Sequence, residues 1–193
     1  MCFNSCVGFT GPFEKMEHCP HCSEPHYDQR EFMKSGGEKK VPRKVFTMFP
    51  LGPQVQACWR NSQTARDMSY RWNKTQEERH RDQDAEDYTF DNVFCGSDYL
   101  DAVDKGDINK HDTVVMFFIN GAQLYCNKKS DCWIYIWFLL DLVPENRYKI
   151  RNIIPGGVIP GSGHPKSLDL FLFLGLVHVS ALQKEGLPIY NSY

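Results

Sequence analysis

The stretch VVMFFINGAQLY, Val114 to Tyr125, decides how the second half of this 193-residue chain is read. Six apolar residues from Val114 to Ile119 run into Asn120-Gly121. Both of those residues tolerate positive φ, as a type I′ turn requires, so local physics favours a hairpin pairing VVMFFI with AQLY. A polar residue ending an apolar strand is also where nucleases and transferases seat a metal-binding Asp. Periodicity leaves both readings open.

Working outward, DTVVMFFI, CWIYIWFLLDL and RYKIRNII are rich in β-branched and aromatic residues and are separated by NKKSD and VPEN, which are turn chemistry. Short connections imply antiparallel neighbours, and the near-continuous apolar character of the second run puts it in the middle of the three. Ahead of them, GSDYLDAVDKG has Tyr99, Leu100 and Val103 at helical spacing, with Ser97 as cap and Gly106 as stop. Behind them, PGGVIPGSGHPKS reads as a loop with four Gly and three Pro. It lacks the phosphate-cradling G-x-x-x-x-G-K-[ST] arrangement, and Ser162 does not meet the G-x-S-x-G elbow. Ser167 then caps a helix with a core face of Leu168, Phe171, Leu172, Leu176, Val179 and Leu182, closed by Gly186. Leu170, Phe173 and Leu174 make that helix apolar on other sides too, which implies deep burial or a missing cover. LPIY reads as the start of a fourth strand. The expected class is α/β, with three antiparallel strands and one buried helix. His164 and His178 have no catalytic partner at a defined spacing, and His178 on an apolar helix reads as a core histidine.

The N-terminal region has a different character. Cys2, Cys6, Cys19 and Cys22 follow a C-x3-C-x12-C-x2-C pattern, whereas Cys58, Cys95, Cys126 and Cys132 are scattered. Zinc takes four soft or borderline ligands in a tetrahedron, and two Cys pairs on tight knuckles supply them. Residues 1–30 are therefore expected to form a structural zinc module of zinc-ribbon type, with His18 or His21 as substitute ligands. Residues 31–92 read as a basic connector and polar linker. Pro42, Pro50 and Pro53 interrupt any long helix there, Ser62 caps SQTARDMSYRW, and NKTQEERHRDQDAEDY has no apolar stripe and reads as a solvated helix or linker. The third segment is 93–193.

Formal net charge is −2, so the chain is no polycation, yet Lys34 to Lys74 holds nine Lys/Arg against two acids. Lys39, Lys40, Arg43 and Lys44 are the first candidates for phosphate contact, with a solvated, acid-facing surface as the alternative. The apolar runs are about half of the roughly 20 residues a membrane-spanning helix requires, and the N-terminus has no secretory pattern. An intracellular chain without a small-molecule cofactor is expected.

Taken in order, CFNSCVGFTGPFEKMEHCPHCSEPHYD, VPRKVFTMFPLGPQVQACWRN, GSDYLDAV, NGAQLYCNKKSDCWIYIWFLLDL and IPGGVIPGSGHPKSLDLFLFLGLVHVSALQKEGL resemble the transposases of CACTA-type (En/Spm) DNA transposons, particularly the fungal branch. The resemblance implies a zinc-knuckle segment followed by an RNase-H-like domain. In that domain a D, D, E triad binds two Mg²⁺ or Mn²⁺ ions and cuts and joins DNA in a nuclear setting. The family's first catalytic Asp falls at Asn120, where an amide replaces the carboxylate, so metal affinity is expected to fall severely. Asp112, Asp131 and Asp141 lie nearby but off the motif position. The family's other two acids lie downstream of ALQKEGL, so the chain is expected to be a truncated, catalytically inactive domain with exposed apolar surface. DNA and a full-length transposase are its expected partners. Three classes follow: an active DDE enzyme completed by further sequence, a zinc-dependent DNA- or protein-binding module, and a nonfunctional relic.

Overall fold

The computed structural model describes residues 1–81, 88–123, 131–161 and 164–192. Along the chain run α1 (Gln29–Lys34), β1 (Thr47–Met48), α2 (Leu51–Arg60), α3 (Ser62–Asp67), α4 (Tyr70–His80), α5 (Ser97–Asp104), β2 (Val115–Gln123), β3 (Asp131–Leu139), α6 (Pro144–Arg147), β4 (Ile154–Pro160) and α7 (Leu168–Glu185). The class is mixed α/β, with a four-stranded antiparallel sheet in the order β1-β4-β3-β2. As its apolar sequence demands, β3 lies inside the sheet.

The chain forms two compact units. The first comprises Met1–Gln54, Phe117–Ile136 and Ile154–Leu187; the second comprises Val55–Met116, Trp137–Ile153 and Pro188–Tyr193. This grouping cuts across the linear segments 1–30, 31–92 and 93–193, because residues distant in sequence share cores.

In the first unit, Asn120-Gly121 is no turn. Both residues lie inside β2, and neither has a positive φ. Strand pairing overrides the local signal: β2 runs through both residues beside β3, and a Cβ on Gly121 would stand 3.6 Å from the Trp133 indole, an ordinary van der Waals contact. Leu124 and Tyr125 of AQLY, and most of the expected NKKSD turn, lie outside the described residues.

The glycine- and proline-rich PGGVIP, expected to be loop, is β4. It pairs antiparallel with β1 in the register Thr47↔Val158 and Met48↔Gly157. Gly157 is needed there because a Cβ would come within 2.5 Å of the buried Tyr135 ring of β3. Its absence lets the aromatic lie flat across the neighbouring strand. Gly175 of α7 approaches the same residue, its virtual Cβ standing 3.2 Å from the Tyr135 hydroxyl. β1 fills the place foreseen for LPIY, whose residues 187–190 form no strand.

Along α7, Leu170 and Phe171 are buried, but Phe173, Leu174, Leu176 and Val177 are exposed, so Leu176 leaves the expected core face. His178 is half-buried rather than part of the core, and its Nε2 accepts the Gly52 N–H at 3.1 Å. Pro53 sits in the first turn of α2, where a missing N–H costs no helix bond, so the prolines did not keep this segment extended.

The second unit is organised by charge. Arg71 is buried in α4 and its Nε donates to Asp141 Oδ1 at 2.6 Å. The same guanidinium donates to the carbonyls of Asn109 and Lys110 and to the Tyr99 hydroxyl, while the second Asp141 oxygen accepts the Val114 N–H at 2.7 Å. The segment expected to be solvated is therefore partly interior: Thr75 and Glu78 are fully buried, and residues 82–87 lie outside the described set. Asn61, not Ser62, caps α3 by accepting the Thr64 N–H at 3.0 Å, and Gly96 rather than Ser97 stands at the start of α5. RYKIRNII is not a strand. Pro144 opens the short helix α6, and the buried Arg147 donates to the carbonyls of Leu140 and Leu142, holding the chain in a bend after β3.

Candidate metal centre

Each cysteine pair lies in a tight turn of the first unit. Ser5 N–H bonds back to the Cys2 carbonyl at 3.0 Å, and Cys2 N–H reaches the Val7 carbonyl at 2.9 Å. In the second turn, Ser23 N–H bonds to the Cys19 carbonyl and Cys19 N–H to the Glu24 carbonyl, both at 2.9 Å. Ser5 and Ser23 take φ of 59° and 57°, left-handed values that β-carbon-bearing residues adopt only when their surroundings impose them. The two turns face each other.

Consequently the Sγ atoms of Cys2, Cys6, Cys19 and Cys22 all lie within 4.8 Å of one another. Cys22 Sγ stands 3.5 Å from Cys2 Sγ and 3.7 Å from Cys6 Sγ. A zinc–sulfur bond of about 2.3 Å in a tetrahedron sets sulfurs about 3.8 Å apart, so the spacing suits that ion, while a disulfide needs about 2 Å. Cys2, Cys6 and Cys19 are buried and Cys22 is half-buried.

The protonation of this group is uneven. Burial, hydrogen bonding with Cys22 and the neighbouring sulfurs push the Cys6 thiol up to about 12. Burial also raises Cys19. Burial opposes ionisation of Cys22, but the Glu24 N–H, the Cys2 and Cys19 thiols and the Asn4 side-chain amide outweigh it and bring that thiol down to about 7. Cys22 thus ionises more readily than Cys6 or Cys19. A divalent cation supplies the charge that lets all four ionise together.

The two candidate substitute ligands stand apart from this set. His21 Nε2 bonds Ser167 Oγ at 3.0 Å, and His18 belongs to a strand-like bridge with Pro25. The four basic candidates are engaged with their own unit: Lys39 with Glu31 at 3.8 Å, Lys40 with Glu17 at 2.7 Å, and Arg43 with Glu24. Lys44 Nζ donates to the Phe3 carbonyl at 3.2 Å and to Ser5 Oγ at 2.9 Å. Three of these four cations are therefore paired with acids that lie before them in sequence.

Asn120 is exposed on β2, and its Oδ1 accepts the N–H of Gly121 at 2.8 Å. Asp112 accepts the Asn109 N–H, Asp141 is paired with Arg71, and Asp131 opens β3. Among the described residues, ligand-type side chains gather in two places: the four cysteines, and Glu78, Asp91 and Cys95. The second grouping was not foreseen from the sequence, since its members come from a polar helix and a turn without motif spacing. It already encloses a cation. Lys74 Nζ lies 2.8 Å from Glu78 and 4.0 Å from Asp91, and Arg81 and the Tyr88 hydroxyl also bond Glu78.

Among the described residues no helix is long and apolar enough to cross a membrane. No family model matches the sequence, no curated protein matches it, and no solved structure matches the fold. Fold and site together define a mixed α/β protein with a four-cysteine ligand set able to hold a metal such as zinc.

Proposed function

We propose that this chain is a CACTA-type transposase derivative that retains a zinc-held N-terminal unit and has no strand-transfer chemistry of its own. The observation that carries the zinc reading is the convergence of four cysteine sulfurs within 4.8 Å. The transposase reading is supported by the ordered motifs from CFNSC to ALQKEGL. Inactivity is supported by Asn120 at the position where the family carries its first Asp. A neutral amide offers one carbonyl oxygen where a carboxylate bridges two metals.

The remaining activity in this reading is binding. DNA in a nuclear setting is the partner chemistry, with a full-length transposase as the protein partner. Lys39, Lys40, Arg43 and Lys44 must then exchange their present partners for phosphates. The exposed pairs of Lys39 and Lys40 hold by only about 0–1 kcal/mol each, so for these two the exchange costs little, whereas Arg43–Glu24 is half-buried and Lys44 is tied to Phe3 and Ser5.

Metal analysis of the purified chain tests the first part: about one zinc per chain is expected by the four-ligand rule. Incubation with supercoiled DNA and Mg²⁺ or Mn²⁺ tests the second, and cleavage that survives repurification would overturn inactivity. Duplex DNA affinity that falls steeply with salt supports the binding role, and its absence removes DNA from the reading.

A further inference from the structure

We infer that metal at the four cysteines governs the seating of the start of α7 and the end of β4, so that the N-terminal segment acts as a metal-operated clamp on its own unit. The inference rests on the zinc reading above.

Helix α7 begins without the usual side-chain cap. Ser167 stands at the N-cap position but makes no cap hydrogen bond. Its Oγ is bonded instead to Nε2 of His21, which directly precedes Cys22. The chain entering the helix is held by the other knuckle: the Cys6 carbonyl accepts the N–H groups of Lys166 and Ser167, both at 3.0 Å, and Val7 forms a parallel bridge with Ser167. One turn in, Thr10 Oγ1 donates to the Leu170 carbonyl. Gly8 passes so close that a Cβ would lie 2.9 Å from that carbonyl oxygen. The end of β4 is gripped similarly. Ser5 Oγ donates to the Pro160 carbonyl at 2.9 Å and accepts from Lys44 Nζ at 2.9 Å.

Ser5, Cys6, Val7 and His21 are ligands or sit directly beside one. Leu170 also shares a buried cluster with Cys2, Cys6 and Cys19. The ligand turns carry left-handed Ser5 and Ser23, a conformation of little intrinsic stability that a tetrahedral ion would fix from four sides. Stripping the ion releases these turns, and with them the partners of residues 166–170 and of Pro160. The exposed apolar side chains Phe173, Leu174, Leu176 and Val177 lie on the next turns of that helix, so metal state also sets how firmly they are presented.

Hydrogen exchange on the full chain, zinc-loaded against chelator-stripped, tests the clamp. Amides of residues 164–173 and 156–160 are expected to exchange at least about tenfold faster after stripping, while those of α4 and α5 keep their rates. Zinc-loaded His21→Ala and Thr10→Val variants keep all four sulfurs, and they should retain the metal yet exchange faster across residues 167–171. If zinc leaves stoichiometrically and residues 164–173 stay protected, the clamp is wrong and the zinc reading stands. A chain that takes up no zinc overturns both. Equal loss of protection in α4 and α5 also overturns the clamp, since the metal would then support the whole chain rather than one helix start.

Discussion

The cysteine centre of the first unit and the Arg71–Asp141 centre of the second both tie together segments far apart in sequence, but by opposite means. In the first, similar groups are driven apart by their surroundings, with Cys6 pushed up to about 12 and Cys22 brought down to about 7. In the second, opposite charges meet and are satisfied within the chain: the guanidinium finds Asp141, Tyr99 and backbone carbonyls. The difference shows that four like thiols have no charge partner among themselves and could take one from a metal ion, whereas a complementary pair supplies its own.

The strongest way to break this comparison is to remove the metal ligands. Cys19→Ser combined with Cys22→Ser should abolish zinc retention. The associated loss is on the order of 10 kcal/mol of apparent metal-binding free energy. Zinc content and the thermal unfolding of metal-loaded protein check it, and a variant that keeps one zinc per chain would show that other residues hold the ion.

Next in size is the buried ion pair. Asp141→Ala leaves Arg71 charged in the interior and should destabilise the chain by about 3–5 kcal/mol in urea titration, with or without chelator. Replacing both members with Arg71→Met and Asp141→Leu should cost less than the single change, because no unpaired charge is then buried. A double variant worse than the single one would mean that the backbone contacts of Arg71 matter more than its charge partner.

Gly157→Ala tests packing in the sheet. The added methyl meets the Tyr135 ring and the Thr47 carbonyl oxygen, with virtual distances of 2.5 Å and 2.8 Å, so about 1–3 kcal/mol of destabilisation is expected. A neutral result would show that β4 can shift.

At acid pH the second unit should reveal its own dependence on charge. Burial works to raise the Glu78 carboxyl, but Lys74, Arg81 and the Tyr88 hydroxyl outweigh it and hold it down to about 2, below its ordinary 4.5. A depressed carboxylate stabilises the fold above the unfolded value. Its contribution should therefore fade as pH falls from about 4.5 toward about 2. Glu78→Gln should flatten that part of the stability profile, and an unchanged acid limb would assign it to other carboxylates. The smallest effect is expected from Lys40→Ala, whose pairing with Glu17 is solvent-exposed and worth about 0–1 kcal/mol. Its value lies in DNA titrations, where a lost phosphate contact would lower the salt slope without changing stability.

What could be read in advance depended on whether a signal was local. The Cys spacing, the apolar run of β3, the α5 segment and the glycine stop of α7 each declare themselves within a few residues, and each was found. Asn120-Gly121 is a counterexample: a strong turn dipeptide lies mid-strand because the pairing of β2 with β3 continues through it. PGGVIP was likewise hidden, since its glycines serve Tyr135 on β3 rather than a bend of their own.

By itself, then, the sequence determined the mixed α/β class and the set of four cysteines that could hold a metal, because cysteine spacing and apolar periodicity are properties of short segments. Only the tertiary structure decided that Cys6 and His21 hold the start of α7, that Arg71 and Glu78 are interior, and that Lys39, Lys40 and Arg43 pair with Glu31, Glu17 and Glu24. Those outcomes rest on which distant side chains share a desolvated space. A buried charge or an unpaired backbone group is so costly that its partner is chosen by the fold, not by its neighbours in the chain.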